Sequence, residues 1–353
     1  MATRAKHKER NCRMRKPRAI DLFSGCGGLT VGLEAAGFNV VAAVENDHIS
    51  ANTYKMNHPD VNLKEIDIRR VSPKKLMREL KMRRGQLDLL AGCPPCQGFS
   101  TLRTRNGAKR NRDSRNSLVN QMVRFARVFR PKAIMMENVP RLKDHKLFAD
   151  LCECLRKVGY HLSFDVKDAS RYGVPQRRKR LILVGGRGID VKLASESSRV
   201  RTVRGAIGHL SAPARSKDKL HSLPEMKRSA KVTRLIRDIP KDGGSRTDLP
   251  KSRQLACHKK SDGFKDIYGR MAWYDVAPTI TGGCFNPSKG RFLHPKQNRA
   301  ITMREAALLQ SFPSNYQFVL SAGNQAIALM IGNALPPEFI RRHAVEIRTA
   351  LKI

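Results

Sequence analysis

The sequence predicts an α/β protein built on a Rossmann-like, doubly wound and mostly parallel sheet, with a smaller loop-rich domain inserted before the last helix. Two observations carry this prediction. Short apolar runs alternate with helix-length segments through the first half of the chain, which is typical of a buried parallel sheet covered by helices. Residues 187–297 are instead rich in Lys, Arg, Ser, Gly and Pro and contain few long apolar runs.

The predicted strands are short and apolar, and the predicted helices end near Gly or Pro where the pattern is clear. Strands are expected at residues 19–23, 40–44, 87–91, 133–136 and 181–184. Helices are expected at residues 29–36, 114–129, 147–158, 303–310 and 337–351.

Polar residues stand at the ends of four of these strands. They are the turn Ser24-Gly25-Cys26-Gly27-Gly28, Glu45, the turn Cys93-Pro94-Pro95-Cys96, and Glu137-Asn138. Ligands of doubly wound sheets bind at the carboxyl ends of the strands. We therefore expect one shared active site at this edge of the sheet.

The charge of the chain is strongly positive. Lys and Arg total 69 against 30 Asp and Glu, which gives a net charge of +39. Such a surface favours an anionic partner, and a nucleic-acid backbone is the obvious one, although an ordinary basic protein remains an alternative on charge alone. Residues 1–17 form a basic arm that is either a solvated tail or a DNA contact.

Membrane and disulfide classes are not favoured. The sequence has no long apolar run, no amphipathic basic helix and no visible signal peptide. Its eight cysteines follow no small disulfide framework, so we expect free thiols in a reducing cytoplasm.

The glycine-rich turn and the acids after it suggest a nucleoside pocket. The turn lacks the spaced glycines of a dinucleotide site and the Gly-Lys-Ser/Thr of a phosphate loop, and by itself it is equally consistent with a plain tight turn. Glu45 can accept hydrogen bonds from ribose hydroxyls, and Asp67 can accept one from an adenine amino group. Each acid alone is more often a surface residue.

The Cys93-x-x-Cys96 spacing has three interpretations. A zinc site is poorly supported, because no second Cys or His pair at ligand spacing follows. A redox dithiol is the second possibility. The third is a single nucleophilic cysteine held by prolines and followed by a basic loop, residues 101–112, that can close over a phosphate backbone.

Two further motifs complete the candidate site. Glu137 suits proton-sharing beside a nucleophile, although a capping acid at a strand end is an equal alternative. In Gln176-Arg177-Arg178-Lys179-Arg180, alternate residues of the starting strand point the same way, so we expect Arg178 and Arg180 to face the site together.

Together these motifs resemble the cytosine-5 DNA methyltransferase family, of the bacterial restriction-modification type. The resemblance includes residues 21–28, 92–100, 137–139 and 176–180, together with Thr302 to Pro313 and Gly332 to Pro337, in the family's order. Residues 277–283 resemble its Thr-Leu-x-x-Gly element, with Ile280 where Leu is usual.

The resemblance implies roles for individual residues. Cys96 would attack carbon 6 of a flipped-out cytosine, and Glu137, Arg178 and Arg180 would be catalytic with it. S-adenosylmethionine would be the cofactor and no metal is expected. Its binding residues would be Phe23, Ser24, Gly25, Cys26, Gly27, Gly28, Leu29, Glu45, Asn46, Asp67, Ile68, Pro94, Leu118, Asn333 and Ala334. The substrate would contact Gln97, Ser100, Arg103, Arg105 and Thr279.

The resemblance also implies an organisation and partners. Residues 18–186 and 318–353 would form a discontinuous catalytic domain, residues 187–297 the target-recognition domain, and residues 298–317 a hinge segment. Double-stranded DNA would be the substrate of a monomeric, cytoplasmic bacterial enzyme, and a cognate restriction endonuclease that acts separately is a candidate partner. A tRNA cytosine-5 methyltransferase is the alternative within the family, and a non-catalytic basic DNA-binding protein is the alternative outside it.

Overall fold

The computed structural model describes residues 15–95, 118–259 and 265–353. Within these ranges seven strands form one sheet in the order β3-β2-β1-β4-β5-β7-β6. The strands are β1 Arg18–Leu22, β2 Asn39–Glu45, β3 Asn62–Glu65, β4 Leu89–Gly92, β5 Ala133–Asn138, β6 Tyr160–Asp168 and β7 Lys179–Arg187. The pairs β1–β2, β1–β4, β2–β3 and β4–β5 are parallel, and β7 is antiparallel to both of its neighbours. The predicted fold class is confirmed.

Helices cover both faces of this sheet. In chain order the described helices are α1 Gly28–Ala35, α2 His48–Asn57, α3 Pro73–Glu79, α4 Asn120–Phe129, α5 Lys146–Lys157, α6 Val203–Ile207, α7 Ala230–Asp238, α8 Ala256–Lys259, α9 Met303–Leu309, α10 Gly323–Asn333 and α11 Pro337–Leu351. The helix predicted from residue 114 is described only from its later part, since residues 114–117 lie outside the described ranges.

Alternate residues of the central strands build two cores, one on each face. Ile20 and Leu22 of β1 pack into the core that α3, α4 and α5 cover. Ala19, on the opposite side of the same strand, packs into the core that α1 and α11 cover. The central strands are therefore buried on both sides, which explains their near-continuous apolar sequences.

A third core connects the region after residue 187 with the end of the chain. Val203, Ile207 and Ile280 pack there with residues of α9 and α10, and Cys26 of the glycine-rich turn joins them. A smaller core gathers Leu235 and other residues from α7 onwards. The domain boundaries given above stay a prediction, because the third core runs across residue 297.

Candidate active site

The strand ends that the sequence singled out lie along one edge of the sheet. Leu22 is paired with both Val44 and Gly92, so β1, β2 and β4 end level with one another. Strand β7 runs the opposite way and starts where β5 ends, with Leu181 opposite Asn138. The reversal of β7 is what brings the arginine motif to the edge that carries Glu137.

Glu137 and Arg180 form an ion pair at this edge. Nε of Arg180 lies 2.8 Å from Oε1 of Glu137, and the two side chains are 17% and 8% exposed. Burial raises the pKa of Glu137, while the charges of Arg180 and Arg178 oppose that rise. A carboxyl group in this position can hold a proton nearer neutral pH than an exposed glutamate can.

Arg178 lies close enough to Glu137 for its charge to act on that carboxyl group, but its guanidinium has different hydrogen-bond partners from that of Arg180. Its guanidinium is buried and donates to three backbone carbonyls: Nη1 to Ile280 at 3.1 Å, and Nη2 to Gly332 at 2.9 Å and Ala334 at 3.2 Å. A guanidinium used in this way joins the residue before β7 to the segments at residues 280 and 332–334. These contacts suit a residue that positions the neighbouring segments.

Gln176 works beside Arg178 in the same buried network. Its amide nitrogen donates to Oε1 of Gln310 at 2.7 Å, and its amide oxygen accepts from the backbone N–H of Ile280 at 2.8 Å. Gln310 in turn donates to the carbonyl of Ile331. Thr279 is exposed next to this network, and its hydroxyl donates to the carbonyl of Arg177 at 2.7 Å.

The turn that leads to Cys96 is fixed from β5. Nδ2 of Asn138 donates to the carbonyl of Pro94 at 3.0 Å, and both residues are buried. Cys93 lies close enough to Glu137 to feel its charge, and burial together with that carboxylate raises the pKa of the Cys93 thiol well above its ordinary value. A thiol held protonated is a poor nucleophile, which weakens the redox interpretation of this motif.

Five of the expected site residues lie outside the described residues: Cys96, Gln97, Ser100, Arg103 and Arg105. The described part of the edge contains their nearest neighbours in sequence, Pro94 and Pro95 on one side and Leu118 on the other. Leu118 packs against the core under α4.

The glycine-rich turn adopts a conformation suited to close approach by a ligand. Phe23 has a left-handed backbone with φ of 63°, a costly conformation that is common at functional sites. Gly25 also has positive φ, and a side chain built there would meet no protein atom within 4 Å, so its face is open. The hydroxyl of Ser24 is buried without a hydrogen-bond partner in the structure.

Glu45 and Asp67 stand at the next two strand ends. The Glu45 carboxylate accepts from the backbone N–H groups of Gly25 at 2.7 Å and of Asn46 at 2.8 Å. Asp67 follows β3 and accepts hydrogen bonds from the backbone and guanidinium of Arg69, which hold the pKa of its carboxyl group below the ordinary value. The Asp67 side chain is partly exposed. Ile68, beside it, is buried in the core.

Two expected cofactor residues turn their side chains away from this edge. The Cys26 thiol is buried in the third core, and burial raises its pKa to about 12. Leu29 packs between α1 and the sheet. Their contribution to a ligand is therefore limited to backbone groups.

Asn333 and Ala334 lie at the end of α10, next to the glycine-rich turn. A side chain built at Gly28 would come within 3.4 Å of the Ala334 Cβ and 2.6 Å of the Leu335 carbonyl. Asn333 itself is exposed. The structure therefore places the last motif, residues 332–337, against the glycine-rich turn at Gly28.

A buried polar chain below the turn was not foreseen from the sequence. The Thr30 hydroxyl lies 2.7 Å from Oδ2 of Asp21 and 2.9 Å from the Tyr54 hydroxyl. Burial raises the pKa of Asp21 to about 8. The sequence places Asp21 inside an apolar strand but does not reveal its partners, since only the packing of α1 and α2 brings Thr30 and Tyr54 to it.

The fold and the site together define a Rossmann-like α/β enzyme whose described candidate site residues lie at the carboxyl edge of the sheet. Over residues 17–349 the sequence matches the family described as C-5 cytosine-specific DNA methylase, and the chain belongs to that family. It is a DNA (cytosine-5-)-methyltransferase.

Two proteins of similar sequence agree with membership of this methylase family. The chain is 35% identical to the type II methylase M.HgiDII of Herpetosiphon aurantiacus, over 94% of this chain and 95% of that protein. It is 33% identical to the type II methyltransferase M1.HphI of Haemophilus parahaemolyticus, over 90% of this chain and 83% of that protein. The family match over residues 17–349 favours DNA over the tRNA alternative.

A solved structure supports the fold. A protein encoded within an E. coli prophage and described as a DNA modification methyltransferase superposes with a TM-score of 0.69 at 23% identity, over 96% of this chain and 100% of that chain. In the described ranges of the present chain, no helix has the length and apolar character needed to cross a membrane.

Proposed function

We propose that this methyltransferase moves the methyl group of S-adenosylmethionine to carbon 5 of a cytosine within a specific sequence of duplex DNA, with Cys96 as the nucleophile. One observation carries the proposal. The Glu137–Arg180 ion pair lies at the strand end where Asn138 fixes Pro94, two residues before Cys96 in sequence. Glu137, Arg180 and Pro94, which precedes Cys96 by two residues, therefore lie at one edge of the sheet.

The described residues fit S-adenosylmethionine. Phe23 and the open face of Gly25 offer a surface for the nucleoside, and the unpartnered Ser24 hydroxyl is available to a polar group. Glu45 and Asp67 are acceptors at the following strand ends, as ribose hydroxyls and an adenine amino group require. When bound, S-adenosylmethionine supplies an electrophilic methyl group.

The protein's own residues make cytosine able to accept that group. The Cys96 thiolate forms a bond to carbon 6, which saturates the 5,6 double bond and moves electron density towards carbon 5 and nitrogen 3. Glu137 hydrogen-bonds nitrogen 3 and the amino group, and Arg180 holds the base. After methylation the carbon 5 proton passes to solvent water, the electron pair of its bond re-forms the 5,6 double bond, and the bond between sulfur and carbon 6 breaks to restore the thiolate.

Methyl transfer from tritiated S-adenosylmethionine tests the proposal. Wild-type protein is incubated with duplex DNA of several kilobases or with tRNA, beside the matched variants Cys96→Ser and Cys93→Ser. We expect label in DNA with wild type and Cys93→Ser, and none with Cys96→Ser. Normal transfer by Cys96→Ser, or transfer to tRNA alone, would contradict the proposal.

We also propose that the chain acts as the modification enzyme of a type II restriction-modification pair. The described relatives carry type II names and come from bacteria. We expect the chain to act as a monomer, separately from its endonuclease. Bisulfite sequencing of DNA from bacteria that express the protein would reveal one short methylated sequence. Methylation at cytosines in every context would contradict a type II role.

A further inference from the structure

A tyrosine from the far end of the chain holds the glycine-rich turn from below. The Tyr316 hydroxyl donates to the backbone carbonyl of Cys26 and is buried there. The N–H of the same peptide unit, on Gly27, donates to the carbonyl of Ser24 at 2.9 Å. The peptide between Cys26 and Gly27 is therefore fixed at both of its polar groups.

His58 completes the contact and sets the direction of its hydrogen bonds. A carbonyl only accepts, so the single hydroxyl proton of Tyr316 is used on Cys26. At the 3.2 Å contact between Nε2 of His58 and the Tyr316 hydroxyl, His58 must therefore donate. Its other nitrogen, Nδ1, lies 3.3 Å from Oε2 of Glu34 on α1. The series of contacts from Glu34 through His58 and Tyr316 to Cys26 therefore connects the turn to α1, the helix that follows it.

The fit at Gly27 leaves no room for adjustment. Gly27 has φ of 98°, and a Cβ built on it would overlap the Tyr316 hydroxyl and come within 2.9 Å of Nε2 of His58. Glycine is thus required twice, by its backbone conformation and by the closeness of these two side chains.

Tyr316 is itself held rigidly between α9 and α10. Its ring packs against Phe312 and Phe318, with ring centroids 4.8 and 5.5 Å away. Its carbonyl accepts from Nη1 of Arg304 at 2.9 Å. The neighbouring Gln317 exchanges backbone hydrogen bonds of 2.9 and 3.0 Å with the Asn57 side chain at the end of α2.

We propose that Tyr316 is a positioning residue for the cofactor, which sets the affinity for S-adenosylmethionine by fixing the Cys26–Gly27 peptide. The hydroxyl does not face the open side of the turn, so it acts through the backbone it holds. The inference rests on the proposed use of this turn for S-adenosylmethionine. Without the hydroxyl, only the hydrogen bond from the Gly27 N–H to Ser24 still holds the peptide, so the turn is less firmly fixed and part of its ordering has to occur when the cofactor binds.

Calorimetric binding of S-adenosylmethionine and of S-adenosylhomocysteine to the full chain tests the proposal. Tyr316→Phe keeps the ring packing and removes only the hydroxyl, so we expect both dissociation constants to rise about fivefold, the effect of one lost hydrogen bond. Turnover at saturating S-adenosylmethionine should stay within about twofold, so KM changes and kcat does not. Dissociation constants equal to wild type in a folded Tyr316→Phe variant would overturn the proposal.

Two further variants keep the test decisive. Tyr172→Phe is the matched control, because the Tyr172 hydroxyl is buried and has no hydrogen-bond partner in the structure, and we expect unchanged affinity. If Tyr316→Phe does not fold, His58→Ala removes the donor to Tyr316 and should weaken binding by about threefold; unchanged affinity would again overturn the proposal. If wild-type protein fails to bind S-adenosylmethionine, the proposed function fails instead.

Discussion

At the scale of single residues, Glu137 is the side chain whose environment bears most on the chemistry. Burial raises its pKa, so it keeps a proton to higher pH than an exposed glutamate, and only the protonated carboxyl can donate to nitrogen 3 of cytosine. The rate should therefore fall as pH rises through this raised pKa. A charged acceptor would give the opposite dependence.

Glu137→Gln separates these two possibilities. The amide donates at every pH, so the decline of kcat at high pH should disappear, while kcat near neutral pH falls by about a hundredfold because the amide cannot share its proton. Profiles of kcat against pH for both proteins are the measurement. A decline that persists in Glu137→Gln would assign it to another group.

Arg178 and Arg180 should respond differently to the same change. Arg178→Lys loses the planar fork that reaches three carbonyls, and we expect the free energy of unfolding to fall by about 2 kcal/mol. Arg180→Lys keeps a positive charge beside Glu137, so stability should change by less than about 1 kcal/mol while kcat falls at least about tenfold. Urea unfolding and turnover, measured on both variants, check this. A larger loss of stability in Arg180→Lys would reverse the two roles.

The sequence could identify which residues matter at this edge better than what each one does. The sequence predicts Glu137 and Glu45 at the site because each follows directly after an apolar run, and the end of such a run marks the end of a buried strand. The hydrogen bonds of Arg178 could not be predicted, because strand alternation does not reveal that carbonyls from residues 280 and 332–334 reach its guanidinium. Tyr316 and His58 carry no local signal, since their contact joins positions 258 residues apart.

At the scale of elements, the buried strands were predictable and the edge strands were not. Strands β1, β2, β4, β5 and β7 are apolar runs buried on both faces, and each was predicted within a few residues. Strand β3 and strand β6 lie at the two ends of the sheet and contain mostly polar, half-buried residues. The antiparallel direction of β7 was also not predicted, because direction depends on the connection through β6 and not on composition.

The contact between β1 and α1 gives a pH-dependent contribution to stability. The pKa of Asp21 is raised to about 8 in the folded chain, so the native state holds its proton while the unfolded chain has lost it above about pH 4. This contribution to stability is full at acid pH and is lost as pH rises towards 8. Wild type should therefore lose stability, through this group, between pH 5 and pH 8.

Asp21→Asn should remove that loss. The Tm of the variant relative to wild type is expected to increase by several degrees from pH 5 to pH 8, since asparagine cannot ionise and its amide oxygen still accepts from Thr30. Thermal unfolding across this range is the measurement, and Asp150→Asn, at an exposed position on α5, is the matched control. A constant difference in Tm would show that Asp21 does not titrate in the folded chain.

At the scale of the whole molecule, the net charge of +39 should dominate binding to non-specific DNA. Each phosphate neutralised releases counterions, so affinity for a duplex without the methylated sequence should fall by roughly a thousandfold between 50 and 200 mM salt. Fluorescence anisotropy at a series of salt concentrations measures the slope. A nearly flat dependence would mean that the basic residues are not directed at the phosphate backbone.

The central claim is that Cys96 attacks cytosine in DNA. The most direct test is covalent capture, in which DNA containing 5-fluorocytosine is incubated with the enzyme and S-adenosylmethionine. Fluorine replaces the carbon 5 proton whose loss would release the cysteine, so the covalent adduct persists. We expect a denaturation-resistant protein–DNA adduct with wild type and with Cys93→Ser, and no adduct with Cys96→Ser. An adduct that persists in Cys96→Ser would contradict the account.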